Sequence, residues 1–142
     1  MWALLVQFVL LFSACAAVST PKEGSMSYLD TVQLLENGGA VIVDVRAMHE
    51  KESGVPRIAT NQIQFGPDNF RDRPASEKEK DEFIDKIHKL NTGGKKILLL
   101  CTYGVRSESA RQVLAQSGIE AFSIEGGWLG RNGQTGLKDW KP

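Results

Sequence analysis

The residues best suited to chemistry form a short loop that begins at Cys101. The apolar run 97–100 predicts a buried strand that ends at this cysteine, and a helical pattern begins near Val105 and continues to Gln116. In open α/β sheets, ligands bind beyond the carboxyl ends of the strands, which is where Cys101 would lie. The loop therefore predicts a nucleophilic cysteine within an anion-binding site. The residues of this site are Cys101, Thr102, Tyr103, Gly104, Val105 and Arg106.

The charge expected around the loop favours a reactive thiolate at Cys101. The N-terminus of a helix carries roughly half a positive charge, and its backbone N–H groups bind anions. Arg106 adds a full charge, which also favours the thiolate, and Gly104 allows a tight turn because glycine tolerates positive φ. A cysteine at the end of a strand can instead be a buried structural residue, since free cysteines are among the most buried residues. The helix start, Gly104 and Arg106 together favour the reactive interpretation.

The elements that must position this loop alternate along the chain. Four short apolar or β-branched runs predict strands, and the run at 60–65 has the weakest pattern. Three amphipathic patterns predict helices, the first of them capped by Ser27. Alternating helices and strands predict an α/β domain with a mainly parallel central sheet flanked by helices. The strands are predicted at 41–45, 60–65, 97–100 and 121–124, and the helices at 27–36, 76–90 and 105–116.

Each predicted helix has an apolar face that should pack on the sheet, and Gly118 should end the third helix. The inner positions are Leu29, Val32 and Leu35 in the first helix; Phe83, Ile84, Ile87 and Leu90 in the second; and Val105, Ala110, Val113, Leu114 and Ser117 in the third.

Length and composition indicate one globular domain, because the chain has 142 residues, of which 42% are hydrophobic and 24% charged. Its 17 basic and 17 acidic residues cancel, so no overall field attracts nucleic acid or an anionic membrane surface. His49 and His88 stand alone, and the two cysteines do not supply the three or four closely spaced ligands of a metal site. We expect no metal, no organic cofactor and no nucleic-acid partner.

The N-terminal segment is expected to direct export. Residues 1–18 are almost entirely apolar and end in small residues, as in a secretory signal peptide, although only the α-amino group of Met1 supplies the leading positive charge. Residues 19–26 are expected to form a tether, and 27–142 the folded domain. The protein would lie in the periplasm or be anchored to the envelope membrane through its N-terminus, and an uncleaved anchor stays open. Cys101 would then be the only thiol of the mature domain.

Within the signal segment, the stretch Leu11-Phe12-Ser13-Ala14-Cys15 resembles the lipobox of bacterial lipoproteins. The resemblance implies cleavage before the cysteine and lipidation of its thiol. Phe12 departs from the residue favoured three places before that cysteine. Lipidation of Cys15 and ordinary cleavage after Ala16 both stay open.

The run from Leu100 to Ser107 resembles the active loop of the rhodanese superfamily, in which Cys, Gly, Arg and Ser recur at this spacing. The resemblance covers roughly residues 27 to 140 and implies a rhodanese-like three-layer domain. It also implies that Asp44 and Arg46 form a structural ion pair or hydrogen-bond network that supports the loop. The further motifs are Val43-Asp44-Val45-Arg46, Glu50, Ser53-Gly54-Val55-Pro56, Ala110, Leu114, Gly118, Ile124-Glu125-Gly126-Gly127, Leu137 and Trp140.

The function that the resemblance implies is that of a single-domain sulfurtransferase. A small donor would deliver sulfane sulfur to Cys101, and a thiol or a cyanide-like acceptor would remove it from the resulting persulfide. Many active rhodaneses carry Arg directly after the cysteine, where this chain has Thr102. Efficient use of thiosulfate as the donor therefore stays open.

Two other functions are compatible with a cysteine loop of this kind. Cell-cycle phosphatases resemble this pattern, but they place five residues between Cys and Arg, whereas four separate Cys101 from Arg106 here. The shorter loop favours sulfur chemistry over phosphate chemistry. The other alternative is a persulfide-relay or redox-sensing rhodanese module without turnover. Inactive rhodanese domains commonly lose the cysteine, whereas this chain keeps Cys101.

Overall fold

The computed structural model describes residues 22–142. The predicted signal segment 1–18, including Cys15, lies outside the described residues, as do residues 19–21 of the predicted tether. The strands are β1 (Ser25–Met26), β2 (Ala40–Asp44), β3 (Thr60–Gln62), β4 (Lys96–Leu100) and β5 (Phe122–Ile124). The helices are α1 (Tyr28–Glu36), α2 (Glu77–His88) and α3 (Val105–Gln116), with 3-10 helices at Met48–Ser53 and Leu137–Asp139.

The five strands form one parallel sheet in the order β1-β5-β4-β2-β3. The two central strands pair over their full lengths, from Ala40 opposite Lys96 to Asp44 opposite Leu100. Their carboxyl ends therefore meet at one edge of the sheet, and Cys101 follows directly on β4. The α/β fold with a parallel sheet flanked by helices is confirmed.

Alternate residues of the central strands point to opposite faces of the sheet, and each face carries its own core. One core contains Val43, Leu99 and Cys101 and is covered by α2 and α3. The other contains Ile42 and Leu98 and is covered by α1 and the segment near the C-terminus. The predicted three-layer arrangement follows from this burial on both faces.

Several local predictions differ from the structure. Leu29 is 75% exposed, because α1 turns Thr31 and the partly buried Leu34 and Leu35 toward the sheet instead. Val105 and Ser117 are also exposed, whereas Ala110 and Leu114 are buried as expected. The weak strand predicted at 60–65 is shorter, and the predicted tether contributes β1 as an edge strand beside β5.

Within residues 22–142, no helix is long and apolar enough to cross a membrane.

Candidate functional site

Cys101 lies at the floor of a pocket beyond the carboxyl end of β4. Its side chain is only 2% exposed, and its sulfur accepts a hydrogen bond from the backbone N–H of Gly104 at 3.0 Å. The hydroxyl oxygen of Ser107 lies 3.4 Å from the same sulfur. An N–H donor from the residue before α3 and a hydroxyl from its first turn therefore face Sγ, as a negatively charged sulfur would require.

Two glycines allow the backbone to close around Cys101. Gly104 is the residue before α3 and has φ +89°, a left-handed conformation that aims its N–H at the sulfur. Gly127 has φ +59°, and a Cβ there would overlap the carbonyl oxygen of Cys101 and lie 2.9 Å from the nitrogen of Gly104. The turn that contains Gly127 holds the loop through two backbone bonds, from Trp128 N to Cys101 O at 2.8 Å and from Leu129 N to Thr102 O at 3.0 Å.

Behind the sulfur lies a buried pair of hydroxyl groups. The Ser107 and Ser123 oxygens are 2.8 Å apart, and that of Ser107 also lies 3.3 Å from the carbonyl oxygen of Gly104. If Ser123 donates to Ser107, the single Ser107 proton can go either to the Gly104 carbonyl oxygen or to a thiolate at Cys101. Ser107 belongs to the matched loop run, but its role was not predicted. Ser123 comes from β5, sixteen residues away, and no spacing pattern indicates it.

Arg106 is buried and also lines the pocket. Its Nη1 donates to the carbonyl oxygens of Phe65 and Pro67, both at 2.8 Å, and its Nη2 donates to that of Asp68 at 3.2 Å. The guanidinium carbon lies 4.9 Å from the centre of the Phe70 ring. Arg106 thus holds the segment 65–70 in place, and it lines the pocket as a loop residue was predicted to do. A direct contact between its charge and a donor anion stays a prediction.

Glu50 links the Cys101 loop to the segment that follows β2. One of its carboxylate oxygens accepts from Arg106 Nη2 at 2.6 Å and from the backbone N–H of Ala47 at 2.9 Å. The other accepts from the hydroxyl of Thr102 at 3.0 Å. The positive charge of Arg106 is therefore paired with Glu50, and the hydroxyl of Thr102 is hydrogen-bonded to the same carboxylate. The sequence indicated an acidic residue here but not these contacts.

Asp44 and Arg46 form the ion pair that the resemblance implies. Arg46 donates Nε–H to one carboxylate oxygen of Asp44 at 2.9 Å and Nη2–H to the other at 2.7 Å, and both side chains are fully buried. Further N–H groups reach the carbonyl oxygens of Glu50 at 3.3 Å and Gly54 at 3.0 Å. The guanidinium also lies over the ring of Trp128. The pair thus supports the segment 48–54 and the turn behind Cys101, and neither side chain lines the pocket.

The pocket has a volume of about 580 Å³, a size common for small-molecule sites. Its lining includes Cys101, Thr102, Tyr103, Val105 and Arg106, so the structure brings the predicted loop residues together around one cavity. Tyr103 and Val105 stand exposed at the mouth. Gly104 contributes through its backbone.

Charge in the pocket is mixed, with an excess of carboxylates. The lining carries four acidic and two arginine side chains, besides the imidazole of His49. The acidic residues are Glu50, Glu52, Asp68 and Asp72, and the basic ones are Arg71 and Arg106. Among the described residues, no cluster of His, Cys, Asp and Glu side chains could hold a metal ion.

Known proteins with similar sequences carry this domain within longer chains. The chain is 32% identical over 115 residues to a tRNA uridine(34) hydroxylase from Deinococcus radiodurans, an alignment that covers 77% of this chain and 34% of that protein. The chain spans about a third of the length of the curated relatives it matches.

Two solved structures share the fold. A rhodanese-related protein from Thermoplasma volcanium has a TM-score of 0.51 and 24% identity, over 72% of this chain and 84% of that one. A protein of unknown function from Rhodopseudomonas palustris, described as a possible tyrosine phosphatase, has a TM-score of 0.52 and 26% identity, over 74% of this chain and 76% of that one. The family model of the rhodanese-like domain matches residues 28–132, and the chain belongs to that family.

Proposed function

We propose that this protein is a sulfurtransferase that carries sulfane sulfur as a persulfide on Cys101. The observation that carries the proposal is the environment of Sγ, which lies at the floor of a pocket and is faced by the Gly104 N–H and the Ser107 hydroxyl. Membership of the rhodanese-like family supports an enzymatic role of this kind. No metal or organic cofactor is needed for it.

Sulfur transfer takes place in two displacement steps. The Cys101 thiolate attacks the outer sulfur of the donor, a bond forms between Sγ and that sulfur, and the donor's S–S bond breaks. With thiosulfate, sulfite leaves with the bonding electron pair. An acceptor such as cyanide then attacks the outer sulfur of the persulfide, thiocyanate forms, and Cys101 returns to the thiolate.

The residues around the sulfur would stabilise negative charge in both steps. The Gly104 N–H is already directed at Sγ, so little reorganisation is needed when the sulfur becomes anionic. Ser107 can donate its proton to the thiolate while it accepts one from Ser123. After the first step these donors would lie beside the inner sulfur of the persulfide, and the outer sulfur would extend into the pocket.

The charges of the pocket disfavour the binding of thiosulfate, so we do not expect it to be the best sulfur donor. Thr102 supplies no positive charge, and that of Arg106 is paired with Glu50 at 2.6 Å. A dianion entering the pocket also meets the carboxylates of Glu52 and Asp72. We therefore propose slow turnover with thiosulfate and faster transfer from a persulfide donor to a thiol or cyanide-like acceptor.

The test of the proposed function is sulfur transfer by native protein, Cys101→Ser and Ser117→Ala. Ser117 is exposed at the far end of α3, so its variant serves as the matched control. We expect thiocyanate formation to disappear in Cys101→Ser and to persist in the control, with circular dichroism unchanged in both. Transfer by a folded Cys101→Ser protein would contradict the proposal.

Phosphatase activity is the second candidate, because one structural neighbour is described as a possible tyrosine phosphatase. A phosphate at Sγ would need the guanidinium of Arg106, but four of its N–H groups are used by Glu50 and three backbone carbonyls. Of the described backbone, only the Gly104 N–H donates to the sulfur. We therefore expect no hydrolysis of p-nitrophenyl phosphate above that of Cys101→Ser. Hydrolysis that depends on Cys101 would favour the phosphatase instead.

The curated relatives are named for hydroxylation of a tRNA uridine, and this activity is not proposed for the present chain. The chain corresponds to about a third of those proteins. Nucleic-acid binding requires basic surface, and the Cys101 pocket carries more carboxylates than cations. We propose a small sulfur donor and a thiol or cyanide-like acceptor as the partners.

We further propose that residues 1–18 direct export to the periplasm or to the envelope membrane. Support comes from their apolar sequence alone. Fusion of residues 1–27 to a reporter that is active only outside the cytoplasm should give activity. A palmitate analogue should label the native protein but not Cys15→Ala if Cys15 is lipidated. A cytoplasmic, uncleaved fusion would contradict export.

A further inference from the structure

Exposed apolar side chains gather at the mouth of the Cys101 pocket. Of the five large hydrophobic side chains that are exposed in the described part of the chain, Tyr103 and Val105 line this pocket. A third, Met48, is 77% exposed and lines an adjoining depression that shares His49, Glu52 and Asp68 with the pocket. Exposed apolar side chains grouped around a nucleophile indicate a surface that binds another molecule.

Acidic side chains lie among these apolar ones. Glu52, Asp68 and Asp72 are exposed, and within residues 22–142 neither Glu52 nor Asp72 forms an ion pair. Three cations lie beside them, Lys51, Arg71 and Arg106. The charge of Arg106 is already paired with Glu50, so Lys51 and Arg71 are the two that can offset the acidic residues. The resulting excess of negative charge favours a cationic ligand over an anionic one. We call Met48, Glu52, Asp72, Tyr103 and Val105 the entrance surface.

The depth of the sulfur restricts what can react with it. Cys101 is 2% exposed at the floor, so a donor must extend a thin, unbranched group past the entrance surface. The side chain of a cysteine persulfide has this shape, and the polypeptide around it would remain outside. The apolar and acidic side chains would then contact the residues on either side of that cysteine.

We infer that the entrance surface docks a polypeptide segment whose cysteine persulfide is flanked by apolar and basic side chains. This inference rests on the proposed sulfurtransferase function and names its donor class. The Cys101 thiolate attacks the outer sulfur of the donor persulfide, and the donor's S–S bond breaks as the bond to Sγ forms. The donor cysteine leaves as a thiolate, and the proton of the persulfide stays on the transferred sulfur, so atoms and charge balance.

The test uses three synthetic peptides of equal length, each with one cysteine persulfide between two leucines. The outer positions carry Lys, Glu or Ser, and loading of Cys101 is followed in a single turnover at subsaturating peptide. At low ionic strength we expect the Lys peptide to load at least about fivefold faster than the Glu peptide, because complementary charge raises the association rate. The ratio should shrink toward one at high salt.

Charge reversal identifies the surface responsible. In Glu52→Lys/Asp72→Lys the preference should invert, so that the Glu peptide loads faster. The matched control is Asp85→Lys/Glu120→Lys, which changes two exposed acidic residues that do not line the pocket. The control has the same net charge as the test variant and should keep the native preference.

The apolar part is tested by Met48→Ser with the Lys peptide and with a version whose leucines are replaced by serine. We expect the substitution to slow loading from the leucine peptide several-fold and to leave the serine peptide unchanged, because a pair in contact is not additive. Equal effects on both peptides would show that Met48 does not contact the leucines, and Met48 would then not belong to the entrance surface.

The outcomes separate the docking inference from the proposed function. If the Ser peptide loads Cys101 but the Lys and Glu peptides load equally, the docking inference is overturned and the sulfurtransferase function stands. If the control double variant inverts the preference as well, the preference reflects net charge and the entrance surface is not its source. If neither a peptide nor thiosulfate places sulfur on Cys101, the proposed function itself fails.

Discussion

Two arginine–carboxylate pairs follow the carboxyl ends of the two central strands, and their surroundings differ. Arg46 binds Asp44, two residues away, and both side chains are fully buried. Arg106 binds Glu50, 56 residues away, and the Glu50 side chain is 21% exposed and lines the pocket. The first pair closes within one segment of the chain, and the second connects two segments across a cavity. Only the second pair lines the pocket itself.

A buried arginine in this fold can therefore belong either to the scaffold or to the site. Arg46 uses its N–H groups on Asp44 and on the segment 48–54, so its loss should lower stability first. Arg106 uses its N–H groups on Glu50 and on the segment 65–68, of which Glu50 and Asp68 line the pocket. Its loss should therefore impair sulfur transfer more than the substitution of an arginine elsewhere on α3.

The largest expected effect is that of Arg46→Met on stability. The substitution leaves the carboxylate of Asp44 buried without its partner, which typically costs roughly 3–5 kcal/mol of the free energy of unfolding. Urea denaturation followed by circular dichroism measures it. The double variant Asp44→Leu/Arg46→Met removes both charges and should recover most of the loss. A single variant that loses less than about 1 kcal/mol would show that the pair does not belong to the scaffold.

Arg106→Met should lower kcat/KM for sulfur transfer by about 10- to 150-fold, the equivalent of one charge-assisted hydrogen bond of roughly 1.5–3 kcal/mol. The cause would be loosening of the segment 65–70 and of Glu50, together with any contact to the donor. Arg111→Met is the control, because Arg111 lies on the same helix and pairs with Glu108 outside the pocket. Equal activities in Arg106→Met and Arg111→Met would show that Arg106 does not belong to the site in the way proposed.

Thr102→Arg should lower the thiosulfate KM several-fold, because it adds the positive charge that the paired Arg106 does not offer. A neutral peptide persulfide should gain much less. Thr102→Met controls for side-chain length, since it removes the bond to Glu50 without adding charge. The donor argument is wrong if the native protein already saturates at low thiosulfate and Thr102→Arg changes nothing.

The smallest expected effect concerns a third arginine–carboxylate pair, Arg73–Glu79, which is more exposed than the other two. Hydrogen bonds from the Arg73 side chain and from the Ser76 backbone and hydroxyl lower the pKa of Glu79 from 4.5 to about 2. Because the pKa is lower in the folded state, the stabilisation is fully present above pH 4.5 and is lost as the pH falls toward 2.

Glu79→Gln should therefore flatten the pH dependence of unfolding between pH 4.5 and 2 relative to the native protein. Urea denaturation at several pH values across this range is the measurement. Glu82→Gln on the same helix is the control, because its pairing with Lys78 is longer, at 3.9 Å, and more exposed. An unchanged pH dependence in Glu79→Gln would contradict the assigned cause of the lowered pKa.

Much of the scaffold could be predicted because its signals are local. The runs 41–45 and 97–100 are continuous and apolar, as expected of strands covered on both faces, and the structure pairs them at the centre of the sheet. The strand Ser25–Met26 was missed because two residues form no pattern, and its place depends on β5. Helical spacing predicts both Leu29 and Leu35 to face the sheet, and the structure places Leu35 there but replaces Leu29 with Leu34.

The site could be predicted only in part, for a similar reason. Cys101 and Gly104 stand in one short loop, so their proximity follows from the sequence. The contacts of Arg106 with Phe65, Pro67 and Asp68 are made to backbone carbonyl oxygens, which no residue type reveals. Ser123 reaches the site through strand pairing and helix packing, which only the folded chain brings together.

Intact-mass spectrometry can show whether sulfur is carried on Cys101 and released to an acceptor. Native protein treated with a peptide persulfide or with thiosulfate should gain the mass of one sulfur atom. Cyanide should remove that mass and produce one equivalent of thiocyanate, while Cys101→Ser should gain nothing. A native protein that gains no sulfur from either donor, or a Cys101→Ser protein that gains and releases it equally, would contradict the account.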